Sequence, residues 1–273
     1  MGESQDGLAV RARDLGLKGP RGWAFRGIAV EAEPGSLIAV EGPSGSGRTS
    51  LLLALTGRMR PTEGTATVGG FELPRRMAAL RRASALAHVP GVTDLDPALT
   101  VGEHLRERAL LERRFGGTVR GLLRSRAERE AEAALRVDTA LAAAGLDREA
   151  LPKGSRTAVR DLERMEALRL SVALALVGRP RLLGVDDTDL KLSDAERAEV
   201  WALLKSLAEA GTTVVAVCSE APDGAVTVST REAPVTPGKD DKDDKDDTDD
   251  SKDDKDEDDK EENADAVAET RSA

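Results

Sequence analysis

The apolar run Leu37-Ile38-Ala39-Val40 leads through Glu41 into Gly42-Pro43-Ser44-Gly45-Ser46-Gly47-Arg48-Thr49-Ser50, and Leu51-Leu52-Leu53-Ala54-Leu55 follows directly. No other feature of the 273-residue chain limits its fold as tightly. A strand that hands over to a helix through closely spaced glycines has the context of a phosphate-binding loop. Glycines let the backbone turn its N–H groups inward, and the following helix N-terminus adds partial positive charge, so an anionic phosphate is favoured there. The pattern departs from the usual one at a single letter, because Arg48 stands where such loops carry lysine. Arginine keeps the charge on a bulkier, planar group, whereas lysine is a compact ammonium on a flexible stem. Phosphate binding is compatible with that change, while the geometry of any chemistry on the outer phosphate is altered.

Charge is divided unevenly. Of the 50 acidic and 40 basic side chains, 18 and 7 fall within residues 239–273, which leaves 32 and 33 in residues 1–238. From Lys239 to Glu262 there is no apolar residue, so this stretch cannot bury enough surface to offset the entropy of ordering and is expected to be a disordered acidic tail. A solvating extension, a tether to a basic partner and a metal-ion buffer are the roles open to it. A fold-back onto the arginine-rich stretch 120–129 in competition with nucleotide predicts that deletion of 239–273 changes nucleotide affinity in a salt-dependent way, since charges are screened beyond about 8 Å at physiological salt.

The remainder reads as one compact domain. The single cysteine, Cys218, gives no disulfide framework. The start has no basic region followed by an apolar core, and no apolar run approaches the roughly 18 residues of a membrane span. A cytoplasmic protein that reaches the inner face of the membrane only through a partner is therefore expected. His88 and His104 are too isolated for a metal site. The arginines at 113, 114, 120, 124, 126 and 129 are interleaved with acids and lack an aromatic platform, which argues against nucleic acid.

Strand-like segments are expected at 8–14, 27–32, 65–68 and 85–89, then helical periodicity at 101–115, 125–144 and 161–177, a helical insertion within an α/β core. Beyond it, Arg181-Leu182-Leu183-Gly184-Val185 ends in Asp186-Asp187. A carboxylate at the carboxyl end of a strand beside a phosphate loop can hold Mg²⁺, which makes Asp186, with the Thr49 hydroxyl, the candidate metal-binding pair. Ser193-Asp194-Ala195-Glu196 has capping-box spacing and opens a helix to about Ala210. A last strand at 212–217 follows Gly211, and 225–228 is placed as an edge.

Residues 8–228 in this order resemble the nucleotide-binding subunit of an ATP-binding cassette (ABC) transporter. Arg60-Pro61-Thr62-Glu63-Gly64, Leu95-Asp96-Pro97-Ala98-Leu99-Thr100-Val101 and Ala175-Leu176-Val177-Gly178-Arg179-Pro180-Arg181-Leu182-Leu183 carry the likeness closely. The resemblance implies an α/β fold with a P-loop NTPase core of the ABC ATPase type, a helical subdomain at about 92–178 within a domain at 1–230, and the Lys/Asp-rich tail at 231–273. It also implies ATP and Mg²⁺ as ligands, an integral-membrane permease as partner, and a homo- or heterodimer of such domains.

The groups that perform the family's chemistry are largely replaced. Besides Arg48, the family's Mg²⁺-sensing glutamine falls on Gly91, and the signature Leu-Ser-Gly-Gly-Gln falls on Leu162-Glu163-Arg164-Met165-Glu166. Asp187, one methylene shorter, takes the place of the catalytic glutamate, and Ser219 that of the switch histidine. A displacement of about 1 Å at a reacting group can lower a rate about a hundredfold. The aromatic that stacks on adenine falls near Leu17 to Gly19, and Trp23 is the substitute at hand. The resemblance thus yields two functional readings: an energy-coupling subunit that binds ATP with weak or no hydrolysis, and a non-catalytic nucleotide-sensing or structural partner of a membrane protein or of an active ABC subunit. MgATP titration against wild type and Arg48→Ala separates a nucleotide module from a purely structural one.

Overall fold

The computed structural model describes residues 7–115, 125–189 and 192–230; the acidic tail and residues 120–124 of the stretch 120–129 lie outside them. The described residues belong to one compact unit.

Two sheets are arranged around helix α1 (Arg48–Leu55). The first is antiparallel, with spatial order β2-β1-β4-β5, built from β1 (Val10–Gly19), β2 (Gly22–Ala32), β4 (Glu63–Val68) and β5 (Phe71–Leu73). The second is parallel throughout, in the order β6-β7-β8-β3-β9, from β3 (Leu37–Glu41), β6 (Ser84–Ala87), β7 (Leu182–Val185), β8 (Thr213–Cys218) and β9 (Val226–Ser229). Its central strands are covered on both faces, which is why Thr213-Val214-Val215-Ala216-Val217-Cys218 is buried at every position and reads as an unbroken apolar run rather than an alternating one.

One core lies between the sheets, where Leu51, Leu52 and Leu55 of α1 meet Leu15, Ile28, Val40 and Val217. A second core packs α3 (Val101–Phe115), α4 (Arg126–Ala143), α5 (Arg164–Leu176) and α6 (Asp194–Glu209) against β6, β7 and β8. The Ser193–Glu196 capping box opens α6, and a second one, Ser125–Glu128, opens α4.

The expected strands and helices are present within a few residues of their anticipated bounds, and the strand at the edge of the parallel sheet is β9. Four elements are additional: β5, α2 (Met77–Ala83) and two three-residue 3₁₀ helices, Gly154–Arg156 and Val159–Asp161. β5 has three residues, too few for periodicity, and α2 buries only Leu80, so neither leaves an apolar pattern. Because the second sheet is fully parallel, the carboxyl ends of all its strands share one edge, where Glu41, His88, Asp186, Ser219 and Thr230 lie at or just beyond their strands. In open parallel sheets that edge is where ligands bind.

Candidate functional site

The loop at 42–47 springs from β3 and delivers Gly47 to the N-cap of α1. Gly47 has φ +84°, and a Cβ there would lie 1.9 Å from the Ala24 carbonyl oxygen of β2, so glycine is required both by conformation and by close approach. Gly45 has φ +82°, and a Cβ added to it would meet nothing within 4 Å, so its outer side faces open space. No side chain caps α1, which leaves its amino end to a ligand.

Thr49, in the first turn of α1, donates its hydroxyl to Asp186 Oδ2 at 2.7 Å, and the Asp187 N–H donates to the other carboxylate oxygen at 2.9 Å. Asp186 is 1% exposed. Burial pushes its carboxyl above the ordinary range, opposed by these two hydrogen bonds and by Arg48, while the neighbouring Asp187 adds to the upward shift. A buried carboxylate and a hydroxyl together make a hard-oxygen pair suited to Mg²⁺. Among the described residues no group of three His, Cys, Asp or Glu side chains is placed to hold a metal, so the pair fits an ion that keeps its other ligands from water and phosphate, as Mg²⁺ does.

Arg48 reaches the end of β8. Its Nη1 donates to the Cys218 carbonyl oxygen there, at 2.5 Å. On the opposite flank, Ser46 Oγ and Thr230 Oγ1 share a hydrogen bond of 2.5 Å, while the Thr230 N–H donates to the Glu41 carbonyl at 2.9 Å. The loop is thus tied to the ends of both strands that flank β3. Thr230 was not visible as a site residue in the sequence, because 184 positions separate it from Ser46.

The departures from the family pattern have definite places. Gly91 sits in an open turn at φ +73°, its N–H bonded to Asp94 at 2.8 Å. Ser219 lies beyond β8, its N–H donated to Asp189 Oδ2 at 2.5 Å. Glu163 and Glu166 form a reciprocal cap on their own helix, with the Glu163 N–H reaching Glu166 Oε2 at 2.8 Å. Two of this chain's carboxylates therefore stand at the amino end of α5. Trp23 is 37% exposed, with Arg26 at 4.7 Å and Lys18 at 5.4 Å from its ring centroid.

His88 is half-buried, and its N–H donates to Ser171 Oγ at 2.8 Å. Burial lowers its pKa despite the opposing fields of Asp187 and Asp186. Cys218 is a packed strand residue, its thiol pushed up to about 12 chiefly by burial and then by Asp189 and Glu41.

A parallel sheet with a glycine loop, an uncapped helix and a buried aspartate at its carboxyl edge defines a phosphate-loop nucleotide-binding fold. Residues 25–189 match the family described as ABC transporter, and the chain belongs to that family. It is 33% identical over 188 residues to a Nod factor export ATP-binding protein I of Cupriavidus metallidurans, covering 69% of this chain and 55% of that one. It is 36% identical over 118 residues to a probable anion import ATP-binding protein of Haloferax volcanii, 41% of each. A cytochrome c biogenesis ATP-binding export protein of Pseudomonas putida is 38% identical over 103 residues, 36% of this chain and 47% of that one. The chain thus spans about half the length of these curated relatives.

A component of the cbiONQ ABC transporter complex of Clostridium perfringens shares the fold at TM-score 0.62 and 19% identity, covering 79% of this chain and 80% of that one. A dimeric ATP-binding cassette bound to ADP and Pi does so at 0.58 and 22%, over 77% and 88%.

Proposed function

We propose that the chain is the ATP-binding cassette subunit of a membrane transporter, one that holds a Mg²⁺-nucleotide in its variant loop with weak or no hydrolysis. The proposed domain covers 1–230, with the helical subdomain at about 92–178 and the tail at 231–273. The observation that carries the reading is the contrast at one sheet edge. The glycines of the loop Gly42–Ser50 and the bonded Thr49–Asp186 pair are retained, whereas Gly91 has no side chain and Ser219 no imidazole.

In this reading the backbone of residues 45–50 and the amino end of α1 orient the phosphates. Thr49 and Asp186 would hold Mg²⁺, which when bound neutralises phosphate charge. Asp187 is the weak candidate for orienting an attacking water; it is one methylene short of the family's glutamate. The two carboxylates at the amino end of α5, Glu163 and Glu166, favour the second reading, a non-catalytic nucleotide-sensing or structural partner, because their negative charge opposes a phosphate there.

A partner in the membrane is supported by the surface this chain presents. A groove of about 1000 Å³ between α2, α3 and the segment after β6 is lined by Arg58, Arg81, Arg82 and Arg108, by Asp94, Glu107 and Glu112, and by Val92 and Leu111, which are 54% and 43% exposed. No helix among the described residues is long and apolar enough to cross a membrane. A groove with charged and apolar lining suits an amphipathic segment of a permease, and the relatives' names as import and export ATP-binding proteins agree with this. Calorimetry of MgATP and MgADP against wild type and Thr49→Val tests the reading. Saturable Mg²⁺-dependent binding that the variant weakens supports it, and no heat with either nucleotide rejects it.

A further inference from the structure

We propose that the site selects a nucleoside diphosphate over a triphosphate, because carboxylates at the ends of β3, β7 and β8, Asp189 foremost among them, stand on the side of the loop toward which a third phosphate would extend. The inference rests on the nucleotide reading above and goes beyond it by naming the ligand's phosphate count.

The loop has two unlike sides. On one, Gly47 abuts Ala24 of β2, next to Trp23 and its cations. On the other, Thr49 and Arg48 bond to the ends of β7 and β8. A nucleotide whose base lies beside Trp23 ends its phosphate chain against the second side. There β7, β8 and β3 end side by side, and beyond Asp186 and Asp187 those ends carry three further carboxylates, Asp189, Glu220 and Glu41, all within the field of the Cys218 thiol, while the loop's own cation, Arg48, donates to the Cys218 carbonyl.

Asp189 is fixed in this position. Its Oδ2 accepts the Ser219 N–H at 2.5 Å, while Thr188 anchors the same turn through its hydroxyl to the Val217 carbonyl at 2.8 Å. Where the family pattern has an imidazole that can donate toward an outer phosphate, this chain has a backbone amide already spent on a carboxylate. The Cys218 thiol reports the field at that point, since Asp189, Glu41 and Glu220 all raise its pKa and Arg48 opposes them. Arg164 at the start of α5 is a further basic group in the vicinity of His88, but Glu196 lies in its field as well.

The Mg²⁺ complex of a triphosphate carries one negative charge more than that of a diphosphate. A unit charge at about 8 Å through water changes binding roughly twofold, and more where water is partly excluded. Three such carboxylates amount to about five- to tenfold against the triphosphate.

The test is calorimetry of MgADP and MgATP, in separate titrations, with the full chain as wild type, Asp189→Asn and Glu220→Gln. In Asp189→Asn the side-chain amide oxygen can still accept the Ser219 N–H, so the turn is kept while the charge is removed. Expected are tighter binding of MgADP by about fivefold or more in wild type, a narrowing of that ratio by about twofold or more in each variant, and a smaller ratio at high salt. Wild type binding MgATP as tightly as MgADP overturns the selectivity and leaves the nucleotide reading standing; a ratio unchanged in both variants overturns the carboxylates as its cause and, with it, the proposal. Absence of binding by either nucleotide overturns both.

Discussion

Gly45 and Gly47 share a left-handed backbone, φ +82° and +84°, and differ in what surrounds them. Replacing each by alanine therefore separates dihedral strain from steric contact. An L-residue in this conformation costs about 1–2 kcal/mol, and for Gly45→Ala that is the whole expected loss, because its new methyl meets nothing within 4 Å. In Gly47→Ala the methyl would lie 1.9 Å from the Ala24 carbonyl oxygen and 2.6 Å from its carbon. β2 or the loop must move by about 1 Å, and overpacking of this kind costs a further 1–3 kcal/mol or so. At about 2–4 °C per kcal/mol for a domain of this size, thermal unfolding followed by circular dichroism should show a loss of roughly 3–5 °C for Gly45→Ala and roughly 10 °C for Gly47→Ala. Nucleotide binding should nonetheless fall in both, because the open space beside Gly45 is where phosphate would sit. Equal losses of Tm in the two variants would refute the argument that β2 braces the loop at Gly47.

Asp186→Asn should raise stability in metal-free buffer at neutral pH by about 1–2 kcal/mol, because a buried charge is removed while the amide can still serve one of its two partners, Thr49 and the Asp187 N–H. The carboxyl's pKa is raised on folding, so its favourable contribution is complete below the ordinary carboxylate value and is lost as pH rises through the folded one. The advantage of the Asn variant, measured by urea unfolding, should accordingly shrink as pH is lowered toward about 4. The Cys218 thiol, raised to about 12 and buried, should not react with a thiol reagent at a pH of about 8 in the folded chain and should react fully in denaturant. Thr230→Val should weaken Mg²⁺-nucleotide binding several-fold while Thr230→Ser retains it, because the hydroxyl bonded to Ser46 at 2.5 Å steadies the loop; equal binding by all three proteins would remove Thr230 from the site.

What could be read from the sequence was what leaves a local pattern. An apolar run followed by spaced glycines marks β3 and its loop, Leu182-Leu183-Gly184-Val185 before Asp186 marks β7, and Ser193 with Glu196 marks the start of α6. The groups that shape the site's electrostatics leave no such trace. Asp189 meets the Ser219 N–H across 30 positions, and Thr230 meets Ser46 across 184, because a parallel sheet gathers the ends of strands that are remote in sequence. Arg48 was legible as a departure from lysine, but its choice of the Cys218 carbonyl depends on where β8 ends. Glu163 and Glu166 were legible as carboxylates in the place of a phosphate clasp; their three-residue spacing also matches a reciprocal cap, and that is how the structure uses them.

The most direct test of the central claim, a phosphate loop retained after loss of the cleaving side chains, is the rate of phosphate release from saturating MgATP by the purified full-length chain, alone and reconstituted with its membrane partner. The account predicts a rate below about 0.01 s⁻¹ in both cases, well under the roughly 1 s⁻¹ at which ordinary enzymes begin, and little further change in Asp187→Ala. Turnover at about 1 s⁻¹ or faster that Asp187→Ala abolishes would contradict it.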